Sequence, residues 1–323
     1  MTRTNSKPQN ISRANAPGEK QASSDRRGQS LPAHASRHPT VSGRWLLAAL
    51  GLALLAAVFC AWCALCLLFW QGSWQFVYHP ASQVAQTPAS AGVAFDPVEF
   101  AATDAGVARL KGWWIPAESA GPFSRFTVLF LHGQDGNLGD TVDALTRLHA
   151  AGVNVLAFDY RGYGQSQFVR PSEARWRQDA DWALQYLTET RHINPGAIVL
   201  DGTGLGANLA LEVAARHPSL AGVIVGAPVE APMSAVFSDA RARLVPARLL
   251  VRDRYDLDAP AEDLRIPLLW FQPSVRSGQG DSTPEAFQRV AARKMLVWLN
   301  PSDDAGKQYQ RTLTRWLDSL EVR

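Results

Sequence analysis

From Trp45 to Trp70 the chain reads WLLAALGLALLAAVFCAWCALCLLFW, 26 residues without a charge. About 20 apolar residues suffice for a helix to cross the hydrocarbon of a bilayer. The stretch therefore predicts one transmembrane helix over residues 44–70, with Trp45, Trp70 and Trp74 at interfacial depth. A cleaved signal peptide is the competing reading, but its apolar region is about 7–15 residues long and ends at a small-residue cleavage site. The sequence that follows, WQGSWQFVYHP, offers no such site.

Charge then orients the span. Residues 1–44 carry eight Lys/Arg against two acidic residues, a net +6 in a chain whose total is +3, which leaves −3 for everything after them. By the positive-inside rule the N-terminus is cytoplasmic, the helix is a signal anchor, and residues beyond 71 lie on the far side, periplasmic in a bacterium. Residues 1–43, rich in Ser, Pro, Gly and Asn without apolar periodicity, read as a disordered basic tail. Residues 71–95 read as a spacer and 96–323 as the folded domain. Since the basic excess belongs to the tail, a nucleic-acid partner is excluded.

All three cysteines, Cys60, Cys63 and Cys66, fall inside the span, so the domain has no disulfide framework. Their i, i+3, i+6 spacing is read as small apolar filling on one helix face, with no metal site and no cofactor. None follows the small residue that a lipid-attachment signal requires.

Beyond Pro97, short apolar runs alternate with helical patterns. The runs are VEFAA, ARLKGWWIP, FTVLFLHG, VNVLAFDYRG, AIVLDG, AGVIVGAP, IPLLWFQP and KMLVWLNP. The central ones are apolar at successive positions, as parallel strands covered on both faces must be. Helices are predicted over 141–151, 174–190, 207–217, 284–292 and 307–320. The result is an α/β fold: an eight-stranded, mostly parallel sheet with an antiparallel start and helices on both faces.

One stretch, VLDGTGLGANLAL (199–211), fits two motifs. Gly202, Gly204 and Ala207 match the G-x-G-x-x-A turn that seats a dinucleotide pyrophosphate. Gly202 and Gly206 match the outer glycines of G-x-S-x-G, the nucleophile elbow, with Gly204 where the serine belongs.

LFLHGQDGN resembles the H-G-x-x-G-N turn that supplies half an oxyanion hole, FDYRGYGQS resembles a D-x-R-G-x-G-x-S loop, and GWWIP is of the same type. Taken in order, these segments resemble the membrane-anchored acyl-hydrolase and serine-aminopeptidase branch of the α/β-hydrolase superfamily, from about residue 75 onward. The resemblance implies the α/β-hydrolase fold and places the glycines after the fifth strand. A dinucleotide fingerprint follows the first strand of its unit and needs an acid about 20 residues on. Glu230 comes too late for that.

Acyl transfer in this fold needs an elbow serine, a histidine base and an orienting carboxylate. Gly204 carries no side chain, and no histidine follows His217. The expected acid position falls near Arg276, with Asp281 as a displaced substitute, and Asp303 and Asp304 occupy the histidine's loop. Ser166, His132 and Asp281 are the relocated candidates for an active site. Of the histidines, His132 alone is expected near the elbow; His149, His192 and His217 read as helix-end or surface residues. Asp159 and Arg161 are read as pinning their loop through a charge-assisted bond, Trp113 and Trp114 as strand packing, and VRDRYDLDAP as a solvated charged face. The backbone N–H groups of Gln134 and Leu205 are expected to converge at a helix N-terminus.

The leading expectation is a membrane-anchored pseudoenzyme with a vestigial elbow at Gly202, Gly204 and Gly206. It acts by binding a small anionic or carbonyl ligand or a protein partner. The alternatives are an esterase or peptidase with relocated residues and a nucleotide-binding oxidoreductase.

Overall fold

The computed structural model describes residues 42–118, 121–274, 282–300 and 305–320. The tail expected over residues 1–43 therefore lies almost wholly outside the described residues. The chain divides into two compact units, Met1–Leu54 and Leu55–Arg323. In the first, residues 43–54 are helical and almost entirely exposed. They begin α1 (Gly43–Gly72), long and apolar enough to cross a membrane.

The second unit opens differently from a free spacer. Phe69 of α1, together with Val77 and Tyr78 beyond it, is buried in one core, and Val93 in another. Residues 71–95 connect helix to domain in sequence, yet in space they are part of the domain's wall. A two-residue strand β1 (His79–Pro80) pairs in parallel with β5 (Asp135–Gly136).

Among the described residues, eight strands form the main sheet: β2 (Asp96–Ala102), β3 (Ala108–Ile115), β4 (Thr127–Leu131), β6 (Asn154–Asp159), β7 (Ile198–Thr203), β8 (Gly222–Gly226), β9 (Leu268–Pro273) and β10 (Lys294–Leu299). Their order is β10-β9-β8-β7-β4-β6-β3-β2, antiparallel at β2/β3 and β3/β6 and parallel elsewhere. This is the α/β-hydrolase fold. The central apolar runs became strands covered on both faces: β4 is buried at all five positions, while the edge strand β2 alternates.

Helices α3 (Glu173–Gln185) and α4 (Leu205–Arg216) pack on one face, where Trp176 stacks on Tyr160 with ring centroids 4.0 Å apart. On the other lie α2 (Val142–Ala150) and α9 (Ala305–Asp318), the latter burying Leu313, Trp316 and Leu317. Trp113 and Trp114 are strand packing, both buried.

Two expectations are corrected here. The helix over 284–292 is a single turn, α8 (Glu285–Arg289), because Val290 turns extended. The connection from β8 to β9 holds short helices not foreseen: α5 (Ser234–Ser238), α6 (Ala247–Leu250) and α7 (Asp258–Asp263). Within it the charges of VRDRYDLDAP do face outward, Arg252, Arg254 and Asp256 being exposed, while Val251, Tyr255 and Leu257 are buried and Asp253 accepts the Tyr78 hydroxyl at 2.7 Å.

Candidate functional site

Strand β4 lies between β6 and β7, so the chain runs to opposite sides of it, and ligands of open α/β sheets bind at the carboxyl ends of such a switch point. The register Leu131↔Gly202 brings the ends of β4 and β7 level. His132–Gln134 and Thr203–Gly204 consequently emerge side by side. A Cβ built on Gly204 would lie 3.6 Å from the Gly133 Cα.

Gly204 caps α4 with φ 56° and ψ −128°, a combination that costs a non-glycine residue about 1–3 kcal/mol. Its neighbours are glycines for another reason, the closeness of α4 to β4. A Cβ on Gly206 would stand 2.2 Å from the Leu131 carbonyl oxygen, and one on Gly202 equally close to the Gly206 oxygen. The turn thus has the backbone of a nucleophile elbow and no atom at its apex.

What fills the space is Gln134. Its Oε1 accepts the Leu205 backbone N–H at 3.2 Å and lies 2.9 Å from the position a Cβ on residue 204 would take. The Gln134 carbonyl accepts from the His79 N–H (2.9 Å) and the Tyr163 hydroxyl (2.8 Å), which fixes the loop. Asn137 secures its far end, donating to the Ala81 and Gln83 carbonyls and accepting from the Gly139 N–H. Gly136 turns there at φ 74°.

The relocated candidates do not assemble. Ser166 is buried, and its hydroxyl donates to the Asp159 carbonyl (2.6 Å) while accepting the Lys111 N–H (2.9 Å), so it ties a loop to β3. His132 is fully buried beneath the elbow in a box of Tyr160, Tyr163 and Trp176. Its Nδ1 meets the Gly133 carbonyl at 2.8 Å, and burial pushes its pKa down to about 4, which leaves it neutral and remote from solvent. Asp159 lies 3.7 Å from its Nε2, beyond hydrogen-bond range, and burial pushes that carboxyl up to about 7. With His132 held neutral and the separation 3.7 Å, the two are not an ion pair. Asp281, Asp303, Asp304 and Arg276 lie outside the described residues.

Asp159 and Arg161 also part company. Asp159 accepts the Leu138 N–H at 2.9 Å, whereas the Arg161 guanidinium bonds to buried Asp179 of α3 and sits over Trp182. Both pin loops, but not to each other. Asp201, on the elbow strand, points away toward α9, where the Tyr309 hydroxyl donates to it at 3.3 Å; burial raises its pKa to about 7.

One pair escaped the sequence reading. His79 Nδ1 and Asp135 Oδ1 are 2.7 Å apart at the exposed rim of the Gln134 loop, joined by the β1/β5 pairing. His79 sits in the segment read as a spacer, 56 residues from its partner, so no local pattern announced it.

Comparison with known proteins supports the fold. A family model described as serine aminopeptidase, S33, matches residues 123–272. An uncharacterized protein of Mycobacterium tuberculosis is 30% identical over 187 residues, 57% of this chain and 62% of that one. YfhR of Escherichia coli K12 is 34% identical over 144 residues, 44% and 48% of the two chains. Mouse alpha/beta hydrolase domain-containing protein 17C is 33% identical over 121 residues, 37% of each. The chain thus spans less than two thirds of the length of these relatives. Among solved structures, an esterase of Pyrococcus furiosus superposes with a TM-score of 0.56 at 17% identity, covering 76% of this chain and 98% of its own. An α/β hydrolase from Penicillium gives 0.51 at 19%, covering 70% and 97%. At such identities the solved structures speak for the fold.

Proposed function

We propose that the chain is a member of the α/β-hydrolase superfamily and a single-pass membrane protein whose elbow binds a carboxylate, phosphate or carbonyl group without cleaving it. Serine-hydrolase chemistry is lost in this reading. The observation that carries it is the Gln134 side-chain carbonyl seated on the Leu205 amide over Gly204. An acyl oxygen would accept from the same donor, and here an amide oxygen rests on it with nothing placed to attack. The helix N-terminus behind that donor favours negative charge.

Treating the full chain with a fluorophosphonate probe and locating adducts by mass spectrometry tests the loss of chemistry. No serine is labelled if the reading holds; stoichiometric labelling of any serine overturns it.

The active-hydrolase alternative has one observation in its favour, the His79–Asp135 pair. There, water rather than a side chain would be the nucleophile and His79 its base. Ester turnover that disappears in both His79→Ala and Asp135→Asn would establish it. The basic tail supports a cytoplasmic N-terminus, and a reporter fused at Arg323 should then be active only outside the cytoplasm.

A further inference from the structure

The last turns of α1 carry a cavity of their own, distinct from the elbow. Counting 20 residues from Trp45, enough to cross the hydrocarbon, ends at Ala64. From Leu65 on, α1 packs against the domain, with Phe69 buried. At that boundary the Trp62 indole N–H donates to the Leu244 carbonyl at 3.0 Å. The β8–β9 connection therefore runs beside α1 at the level where the helix leaves the apolar layer. Its Leu244 and Leu249 are 62% and 78% exposed. Exposed apolar side chains at that level are suited to contact with lipid.

Behind Leu249 is a pocket of about 590 Å³. Its apolar wall includes Trp70, Trp74, Val236 and Leu249, and its polar side is formed by Arg170, Arg175 and Arg252. Arg170 donates to the Trp70 carbonyl at 2.7 Å and lies over the Trp70 ring, which holds one cation at the end of the helix. The one carboxylate in the lining, Asp253, already accepts the Tyr78 hydroxyl. Three cations against one engaged anion, above an apolar wall that continues to the lipid level, match an anionic head group with its acyl chain.

We propose that this pocket seats one anionic phospholipid taken from the bilayer that α1 crosses, with its head group on the arginines and its chain along Trp74 and Leu249. The inference rests on α1 being membrane-embedded and is independent of what the elbow binds.

The full chain in phosphatidylcholine nanodiscs, doped with a phosphatidylglycerol bearing a diazirine in its acyl chain, gives the test. Photo-adducts are expected on α1 and on the segment 233–253, the latter competed by unlabelled phosphatidylglycerol and not by added phosphatidylcholine. The double variant Arg175→Gln/Arg252→Gln should lose adducts in 233–253 on the order of tenfold while those on α1 persist. Adducts on α1 alone, or adducts in 233–253 indifferent to head-group charge, overturn the pocket and leave the anchor standing. Absence of adducts on α1 overturns both. The competition arm uses the unaltered chain and does not depend on the variant folding.

Discussion

Gln134 Oε1 and the Leu205 amide nitrogen are 3.2 Å apart, and the bond between them lies over the bare Cα of Gly204. It joins the turn after β4 to the first residue of α4 across 71 positions of sequence. Gln134→Ala removes the acceptor and should cost about 1 kcal/mol in denaturant unfolding. Amide hydrogen exchange should accelerate in the peptide starting at Leu205. Gln134→Glu keeps an acceptor and places a negative charge at a helix N-terminus, so protection should be retained there. Unchanged exchange in the alanine variant would count against the bond.

Restoring a serine should not restore a hydrolase. Gly204→Ser must adopt φ 56° and crowd Gln134 Oε1 at 2.9 Å, at a cost of about 1–3 kcal/mol. The new hydroxyl meets no base, because His132 is sealed below among Tyr160, Tyr163 and Trp176. Hydrolysis of a p-nitrophenyl ester should stay at background; robust turnover would mean that His79 or an undescribed residue reaches the apex.

Gly206→Ala addresses the crossing itself. The added methyl would meet the Leu131 and His132 carbonyl oxygens at 2.2 and 2.3 Å, both backbone atoms that cannot swing aside. A loss of about 1–3 kcal/mol or more is expected, measured as a lowered thermal midpoint of the detergent-purified chain. An unchanged midpoint would imply that α4 stands farther from the sheet.

Stability should depend on pH through Asp201. Its folded pKa is about 7 against 3.8 for the free group, because burial disfavours the carboxylate. The folded chain therefore holds this proton more tightly, and the stabilisation present at low pH is lost as pH rises from about 4 to about 7. Asp201→Asn removes the titration and keeps the acceptor for Tyr309. It should gain on the parent increasingly with pH, from about 2 kcal/mol at pH 5 to about 4 kcal/mol above pH 7, at 1.36 kcal/mol per pKa unit. His132, with its depressed pKa, works in the opposite sense below about 6.5, but it is common to both chains and cancels in the difference. A difference independent of pH would refute the assignment.

Much of the fold could be read along the chain. The run Val128–Leu131 is apolar at every position because helices cover both sides of β4, and β2 alternates because it is an edge. Gly202, Gly204 and Gly206 were legible as a tight strand-to-helix turn because such a turn constrains backbone locally, within five residues. The loop pins were half legible: Asp159 and Arg161 do pin, yet their partners, Leu138 and Asp179, come from other elements.

Sequence alone determined the apolar helix, the runs that become strands and the absence of a side chain at residue 204. Each is a property of consecutive residues, set by periodicity, charge or the absence of a side chain. Only the tertiary structure decided that Gln134 covers that position, that His132 lies beneath it while His79 stands at its rim, and that Leu244 meets Trp62 at the end of the span. These are contacts between residues 56 to 182 positions apart. Strand register and helix packing fix them, and no local pattern encodes either.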